Sequence, residues 1–448
     1  RNAYVAGNTR IAAVQKEPGF DAVTLITPDA PMVAAIHGGR AKCLQRLIRL
    51  DMPVPTTVAL SFAAVNAVAR GTMPDITKLM APFGADPLLS VRPSSEGPDW
   101  GGPGAILNIG MTDARHAAMC ETVGERTATA IYLRFIQSFA VQVARADPDA
   151  FFLPDTPDAA ALARMLAAYE DETDEAFPQD AGAQLAEVLR SMARAWDGTT
   201  ARLLREAKGA PVDAGLGLVV QAMALGVGKG VSGSGVIQFV DPQTGLPQIT
   251  GRFLSQSQGR EALTADKGVI YLTRDKRGAS LEELCPQAFK TLIGYGGQVR
   301  TRLREEMQIE FTIENGALRI LDGVLVHRSS QAAVRIAVAL ATDGIIGHDE
   351  AVMLHRQVDP AASRDLIVRG IAASPGAASG KIVFTADDAQ AHAARGQPCV
   401  LVRRETSPED IRGMHAAQAV LTVRGGITSH AAVIGRGLGL PCVVGASD

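Results

Sequence analysis

The sequence predicts a multidomain protein of mixed α+β and α/β architecture, and three observations carry that expectation. The chain has 448 residues, too many for one ordinary core, and at roughly 150 residues per compact unit it should fold as several units. From Thr112 to about Leu204, Ala, Leu, Arg and Glu recur with the 3.6-residue helical period, and short β-rich pieces follow. Near Leu366 the composition changes again, and strand-like and helix-like pieces begin to alternate.

Taken in order, residues 1–36 mix short apolar runs with Gly and Pro, and Gly38-Gly39-Arg40 then opens a helix spaced by Leu and Ile over Ala41 to Leu50. Pro53-Val54-Pro55 ends it. Val91-Arg92 reads as a strand, and the Gly/Pro/Ser-rich stretch from Pro93 to Gly104 reads as a long loop that could contact a ligand. A helical subdomain spans about 112–205, with breaks near Pro148, Pro154 and Pro178. Strands are expected at Val219 to Met223, Gly235 to Val240, Gln248 to Phe253, Val269 to Leu272, Ile309 to Ile313 and Ala317 to Leu321, the last two as a hairpin across Asn315-Gly316. Arg328 to Leu340 is an Ala-rich helix, and 341–365 reads as a linker, in part helical. After it, Gly380 to Phe384, Cys399 to Val402, Ala419 to Val423 and Cys442 to Val444 read as strands with helices between them.

Hydrophobic residues at 47% and charged residues at 20% are ordinary for a globular protein and argue against extensive disorder. A formal net charge of -3, with no polybasic run, argues against nucleic acid as a partner. Cys43, Cys120, Cys285, Cys399 and Cys442 are widely separated and form no CxxC pair, so neither a disulfide framework nor a zinc site is expected and a reducing cytoplasm fits best. No apolar run approaches the ~18 residues that would span a bilayer, so no membrane association is expected. The chain opens at Arg1 and stops at Asp448, just past a motif, which suggests a piece of something longer.

That motif is Gly425-Gly426-Ile427-Thr428-Ser429-His430-Ala431-Ala432, after a strand and at the entry to a short helix over Ala431 to Gly437. Two glycines permit close backbone approach, Thr428 and Ser429 offer hydroxyls or caps, and a helix N-terminus presents free N–H groups to a phosphate dianion. A neutral imidazole there could attack phosphorus and later release the group. A lone His in such a place ordinarily does no more than cap its helix. His37, His116, His327, His348, His355, His392 and His415 show no ligand spacing.

Glu405-Thr406-Ser407-Pro408-Glu409-Asp410, Arg424 through Ala432, Arg436-Gly437 and Pro441-Cys442-Val443-Val444-Gly445 resemble the phosphohistidine domain of pyruvate phosphate dikinases. Ala373-Ser374-Pro375-Gly376-Ala377 through Gly380-Lys381 is similar to that domain's opening segment. Enzyme I of the sugar phosphotransferase system and phosphoenolpyruvate synthase share a similar domain, but the Glu405 to Asp410 run favours the dikinase. The resemblance implies His430 as the phosphoryl carrier, supported by Arg424, Gly425, Gly426, Thr428 and Ser429, in a smaller α/β swivelling domain over 366–448. It also raises Thr428 as a regulatory phosphorylation site.

Residues 1–340 are similar to the ATP-grasp nucleotide-binding domain of the same family. The resemblance rests on Gly38-Gly39-Arg40-Ala41, Val91-Arg92, Leu107-Asn108-Ile109-Gly110, Arg134-Phe135-Ile136-Gln137, Ser232-Gly233-Ser234-Gly235-Val236, Gln258-Gly259 and Ile309 through Glu314. Moving a phosphoryl group from ATP needs cations on the triphosphate, acidic ligands for Mg2+, and backbone N–H groups around the oxygens. The resemblance gives Arg40, Arg92 and Arg134 the first role, Glu310 and Asp322 on the hairpin the second, and the Gly230 to Gly235 stretch, with Gly233 and Gly235, the third as a flexible loop. Each arginine taken alone would read as a surface ion pair.

Several positions depart from the family. Arg40 replaces a lysine, Glu96 an arginine, Gln308 an aspartate, Asp322 a glutamine, Val324 a phosphate-contacting arginine and Arg252 a glutamate. Losing a phosphate donor commonly costs a few kcal/mol of transition-state stabilisation, or ~100-fold in rate, whereas Asp322 is a better ligand for a hard cation than glutamine. The resemblance implies that ATP, with phosphate and Mg2+, phosphorylates His430 and releases AMP and pyrophosphate. It also implies onward transfer to pyruvate, giving phosphoenolpyruvate at a barrel domain beyond this chain, and it leaves a homodimer of the full-length protein open. The alternatives are a phosphoenolpyruvate synthase-like dikinase and a nucleotide-binding regulatory relative without ATP chemistry.

Overall fold

The computed structural model describes residues 20–97, 100, 102–325, 328–355 and 368–446. Among them the strands form three five-stranded sheets. In the first, β1 (Val23–Leu25), β2 (Thr57–Leu60), β3 (Leu89–Ser95), β4 (Ile106–Ile109) and β5 (Leu216–Ala222) run in the order β1-β2-β5-β3-β4, antiparallel throughout. Helix α1 (Gly39–Arg49) follows β1.

Strand alternation divides this sheet's side chains between two cores. Val58, Leu60, Leu218 and Val220 join the helical subdomain's core. Ala59 and Val219 face Ile26, Met32, Ala41 and Leu44 in a smaller one. Between β4 and β5 the expected helical block is present as α2 (Asp113–Val123), α3 (Glu125–Ser138), α4 (Ala159–Thr173), α5 (Ala181–Trp196) and α6 (Thr199–Ala207). Thr112, Asp158 and Asp180 cap α2, α4 and α5, each accepting a backbone N–H from the first turn, which satisfies donors a helix otherwise leaves bare. Phe177, beside the Pro178 break, makes edge-on contacts with Tyr132, Phe135, Phe139 and Tyr169 at 5.1–6.1 Å, tying the block together.

The second sheet contains β6 (Gly233–Val240), β7 (Pro247–Ser255), β8 (Val269–Ile270), β9 (Met307–Glu314) and β10 (Ala317–Leu325) in the order β10-β9-β6-β7-β8. The expected hairpin is β9–β10, with a register shift between Ile320 and Asp322. A short helix, α7 (Glu261–Thr264), follows β7, and α8 (Ser330–Thr342) follows β10. Leu47 of α1 enters this sheet's core beside Ile309 and Ile320, so α1 joins the first two sheets.

In the third sheet β11 (Ile371–Ser374), β12 (Lys381–Val383), β13 (Cys399–Arg403), β14 (Ala419–Thr422) and β15 (Cys442–Val444) run β11-β15-β14-β13-β12. Strands β12 to β15 are parallel and β11 is antiparallel. Helix α9 (His430–Leu438) packs Ala431 and Ala432 against Val420, Cys442 and Val444. Parallel strands with helical crossovers are the alternation read from the sequence.

Some expectations are corrected. Pro93 to Ser95 continue β3, where a loop was expected, and pair with β5. Strand β4 pairs only as far as Val91, so Pro93 sits in the one-sided setting a strand proline tolerates. The Gly230 to Gly235 stretch is not a loop throughout: Gly233 and Gly235 lie inside β6, paired with both β7 and β9. Their backbones serve the ladder. A Cβ at Gly233 would lie 2.5 Å from the Phe253 ring, and one at Gly235 2.8 Å from the Phe311 ring, so both glycines make room for the stacked Phe253–Phe311 pair. Of the expected linker, 356–365 lies outside the described residues, as does His327.

Candidate functional site

In a parallel sheet, the loops leaving neighbouring strands at their carboxyl ends meet over one edge. Strands β13 and β14 are such neighbours, and their loops bring Thr406 and His430 together. His430 is the first residue of α9, capped by Ser429, whose Oγ accepts from Ala432 N. Thr406 Oγ1 lies 3.1 Å from His430 Nδ1. With Nδ1–H donating to that oxygen, Nε2 keeps its lone pair.

The surrounding loop is held by its backbone. Gly425 has φ +111°, which disfavours a side chain, and a Cβ there would crowd Ser429. Nothing lies within 4 Å of a Cβ placed on Gly426, so that face of the loop is open. Arg436 donates to Ile427 O at 2.5 Å and to Ala373 O at 3.2 Å, anchoring the loop to β11. Thr428 and Arg424 are exposed. Arg403 and the Ser407 backbone bond the buried Asp410 carboxylate at 3.3 and 2.9 Å, which fixes the turn carrying Thr406.

A second constellation lies between the first two sheets. Gly38, at φ +87°, lets the entry to α1 pass close against Ser94. Ser94 Oγ donates to His37 O at 2.8 Å and accepts from Ala41 N at 3.0 Å. This sets Arg40 beside β3, where it also donates to Pro93 O. Arg40 Nε lies 2.7 Å from Asp322 Oδ2. Arg92 reaches the same oxygen at 3.4 Å and Glu310 at 3.7 Å, and donates to Gln221 Oε1 at 2.8 Å and Leu321 O at 2.6 Å. Arg260 Nε lies 3.4 Å from Glu310 Oε1. Glu310 and Asp322 occupy facing ladder positions. Burial, followed by the Asp322 charge, raises the Glu310 acid above its ordinary range, and Arg92, Arg260 and Arg40 oppose that rise.

The donor chemistry fits Mg2+. Two adjacent buried carboxylates, one raised by the other's charge, are what a hard cation relieves, and Mg2+ with a nucleotide commonly uses one or two carboxylates plus phosphate oxygens. Among the described residues no group of three or more His, Cys, Asp or Glu forms a cage that could hold a metal ion.

Arg134 lies apart from Asp322. It pairs with Glu261 at the start of α7, next in sequence to Arg260, so this short helix links the two arrangements. A cleft of about 330 Å³ opens beside it, lined by Arg126, Arg134, Asp155, Gln256 and Gln258 among others. Two family-like segments meet here, since Asn108 and Gln258 exchange buried amide hydrogen bonds at 2.9 and 3.2 Å. Of the departing residues, Arg252 donates to Leu263 O and Ala265 O at the end of α7. Gln308 accepts from Gln238, and Glu96 is exposed.

Thr406, Arg260, Glu261 and Gln221 carry these arrangements without having been assigned roles from the sequence. The rule that loops meet at the carboxyl ends of parallel strands would have found Thr406. Arg260 and Glu261 directly follow the family-like Gln258-Gly259 pair, but nothing in their own spacing marked them.

Comparison with protein families matches residues 396–448 to the mobile domain of PEP-utilising enzymes. The pyruvate, phosphate dikinase of Rhizobium meliloti (strain 1021) is 34% identical over an alignment covering 92% of this chain and 52% of that protein. That of Clostridium symbiosum is 35% identical over 81% of this chain and 44% of its own length. Chloroplastic pyruvate, phosphate dikinase 1 of Oryza sativa subsp. japonica is 32% identical over 92% and 48%. The chain spans about half the length of the curated relatives it matches.

Proposed function

We propose that this chain, a homologue of pyruvate, phosphate dikinases that spans about half their length, forms a phosphohistidine from ATP. On this reading 1–340 is an ATP-grasp nucleotide-binding domain, 341–365 a linker and 366–448 the domain that carries His430 to its phosphoryl donor. The observation that most supports it is the 3.1 Å contact of Thr406 Oγ1 with His430 Nδ1, which orients the imidazole with Nε2 free at a helix N-terminus.

His430 Nε2 attacks the β-phosphorus of ATP, and the bond to the α-bridging oxygen breaks, releasing AMP. Phosphate then takes the γ-phosphoryl group as pyrophosphate, and the β-phosphoryl group stays on Nε2. The Nδ1 proton remains shared with Thr406, and the first N–H groups of α9 face the phosphoryl oxygens. Arg40, Arg92, Arg260 and Arg134 bind the triphosphate, and Glu310 and Asp322 would hold Mg2+, which would supply charge neutralisation on the phosphates. Gly233 and Gly235 serve this site through packing. In the whole protein the group passes on to pyruvate, giving phosphoenolpyruvate.

A second reading, a nucleotide-binding relative without ATP chemistry, is favoured by one observation: Arg40 and Arg92 are already engaged by a buried carboxylate. Incubation with ATP, Mg2+ and phosphate separates the readings. AMP and pyrophosphate produced in an amount equal to the protein, and abolished in His430→Ala, support the first. Tight ATP binding with no AMP supports the second. AMP formed equally well without phosphate points to a phosphoenolpyruvate synthase-like reaction.

A further inference from the structure

The arginine cluster holds an anion already, and that anion belongs to the protein. Asp322 Oδ2 receives Arg40 Nε at 2.7 Å and Arg92 at 3.4 Å, while Asp322 Oδ1 accepts the Gly323 N–H at 2.9 Å. Its side chain is 1% exposed, against 24% for Arg40 and 11% for Arg92. A buried carboxylate gripped by two guanidiniums presents them with an anionic oxygen acceptor, as a phosphate would. Glu310 engages the remaining reach of Arg92 and the exposed Arg260. Three cations thus meet two carboxylates, and little positive charge is left over for a polyphosphate carrying several negative charges.

We propose that Asp322 is a built-in competitor for these arginines: it occupies the seat of a ligand oxygen between Arg40 and Arg92, so the site rejects polyphosphate anions whose charge is not accompanied by a divalent cation. The proposal rests on the nucleotide-binding reading and adds its selectivity. A bare polyphosphate must break two charge-assisted hydrogen bonds and leave Asp322 buried beside new negative charge, which is costly at low dielectric. A polyphosphate arriving with a divalent cation meets a carboxylate suited to that cation, and the arginines are then free to turn to the phosphate oxygens. Removing the Asp322 charge should therefore help the bare anion most.

The test is calorimetric titration of the purified chain with ATP, and with inorganic tripolyphosphate, in EDTA and in excess Mg2+. The unaltered protein is compared with Asp322→Asn, which keeps the Oδ1 acceptor for Gly323. The expected result is metal-free binding tightened about tenfold or more in the variant, with the advantage of Mg2+ reduced. Should Asp322→Asn not fold, Asp322→Gln carries the same expectation. The unaltered protein supplies a further arm, since metal-free ATP bound as tightly as the Mg2+ complex overturns the proposal. A variant no better at metal-free binding, while both proteins bind Mg2+–ATP, overturns it and leaves the nucleotide reading standing. No binding by either protein in any condition overturns the nucleotide reading and the proposal with it.

Discussion

Thr406 Oγ1 lies 3.1 Å from His430 Nδ1, joining the loops that leave β13 and β14. The contact holds the ring in place and, with Nδ1–H donating to the hydroxyl, leaves the Nε2 lone pair for phosphorus; a neutral hydrogen bond is worth about 1 kcal/mol net, or roughly fivefold to tenfold in rate. Thr406→Val should slow phosphohistidine formation by that factor, and Thr406→Ser should restore it. The 15N shifts of the His430 ring should show Nδ1 protonated in the unaltered protein and mixed tautomers in the valine variant. An unchanged tautomer and rate in Thr406→Val would remove the positioning role.

Arg92 and Arg134 should separate by stability. Arg92→Met leaves the buried Asp322 with one guanidinium partner and Leu321 O without its donor. Breaking such a buried pair costs about 3–5 kcal/mol. The Arg134–Glu261 pair has side chains 41% and 31% exposed, and Arg134→Met should cost no more than about 1 kcal/mol. Urea unfolding of both variants checks this, and equal losses would contradict the buried role given to Arg92.

Two glycines read alike in sequence should respond differently. In Gly235→Ala the new Cβ meets Arg252 O at 2.5 Å and the Phe311 ring at 2.8 Å, overpacking that costs about 1–3 kcal/mol. Gly426→Ala meets nothing within 4 Å and should change stability by less than about 0.5 kcal/mol. Melting temperatures decide the matter, and a fully stable Gly235→Ala would contradict the packing role given to that glycine.

Cys43 reports on the carboxylate beside it. Burial first, then the Asp322 charge, pushes its thiol from about 9 up to about 12. At pH 8 it should alkylate with iodoacetamide at less than about a tenth of its rate in urea. Because the folded-state value is raised, this thiol's contribution to stability is fully present below pH 9 and is lost as the pH climbs toward 12. Peptide mass spectrometry reads the modification, and equal rates in native and unfolded protein would contradict the assigned environment.

The helical block and the β9–β10 hairpin were legible because amphipathic period and Asn-Gly turn chemistry are local. Strands β1, β2, β4 and β11 were not: they are three or four residues long, and no clear β-rich run bounded by turn residues set them apart, as one did for the equally short β14 and β15. Strand β11 in particular runs through Ala and Ser beside Pro375 and Gly376, poor strand formers held by pairing with β15 and by Arg436 on Ala373 O. The arrangement around His430 was half legible: the motif gave the histidine its helix N-terminus, but Thr406 becomes its neighbour only through strand order. Arg40, Arg92, Glu310 and Asp322 could be named from the sequence, yet their mutual neutralisation depends on two sheets meeting over α1, which no local pattern encodes.

The most direct test of the central claim uses ATP labelled at the β-phosphorus, incubated with the protein, Mg2+ and phosphate, followed by peptide mapping. Acid-labile label on the peptide containing His430, absent from His430→Ala, is the predicted result. A folded protein that binds ATP yet acquires no label, or acquires it equally in His430→Ala, would contradict the phosphohistidine account.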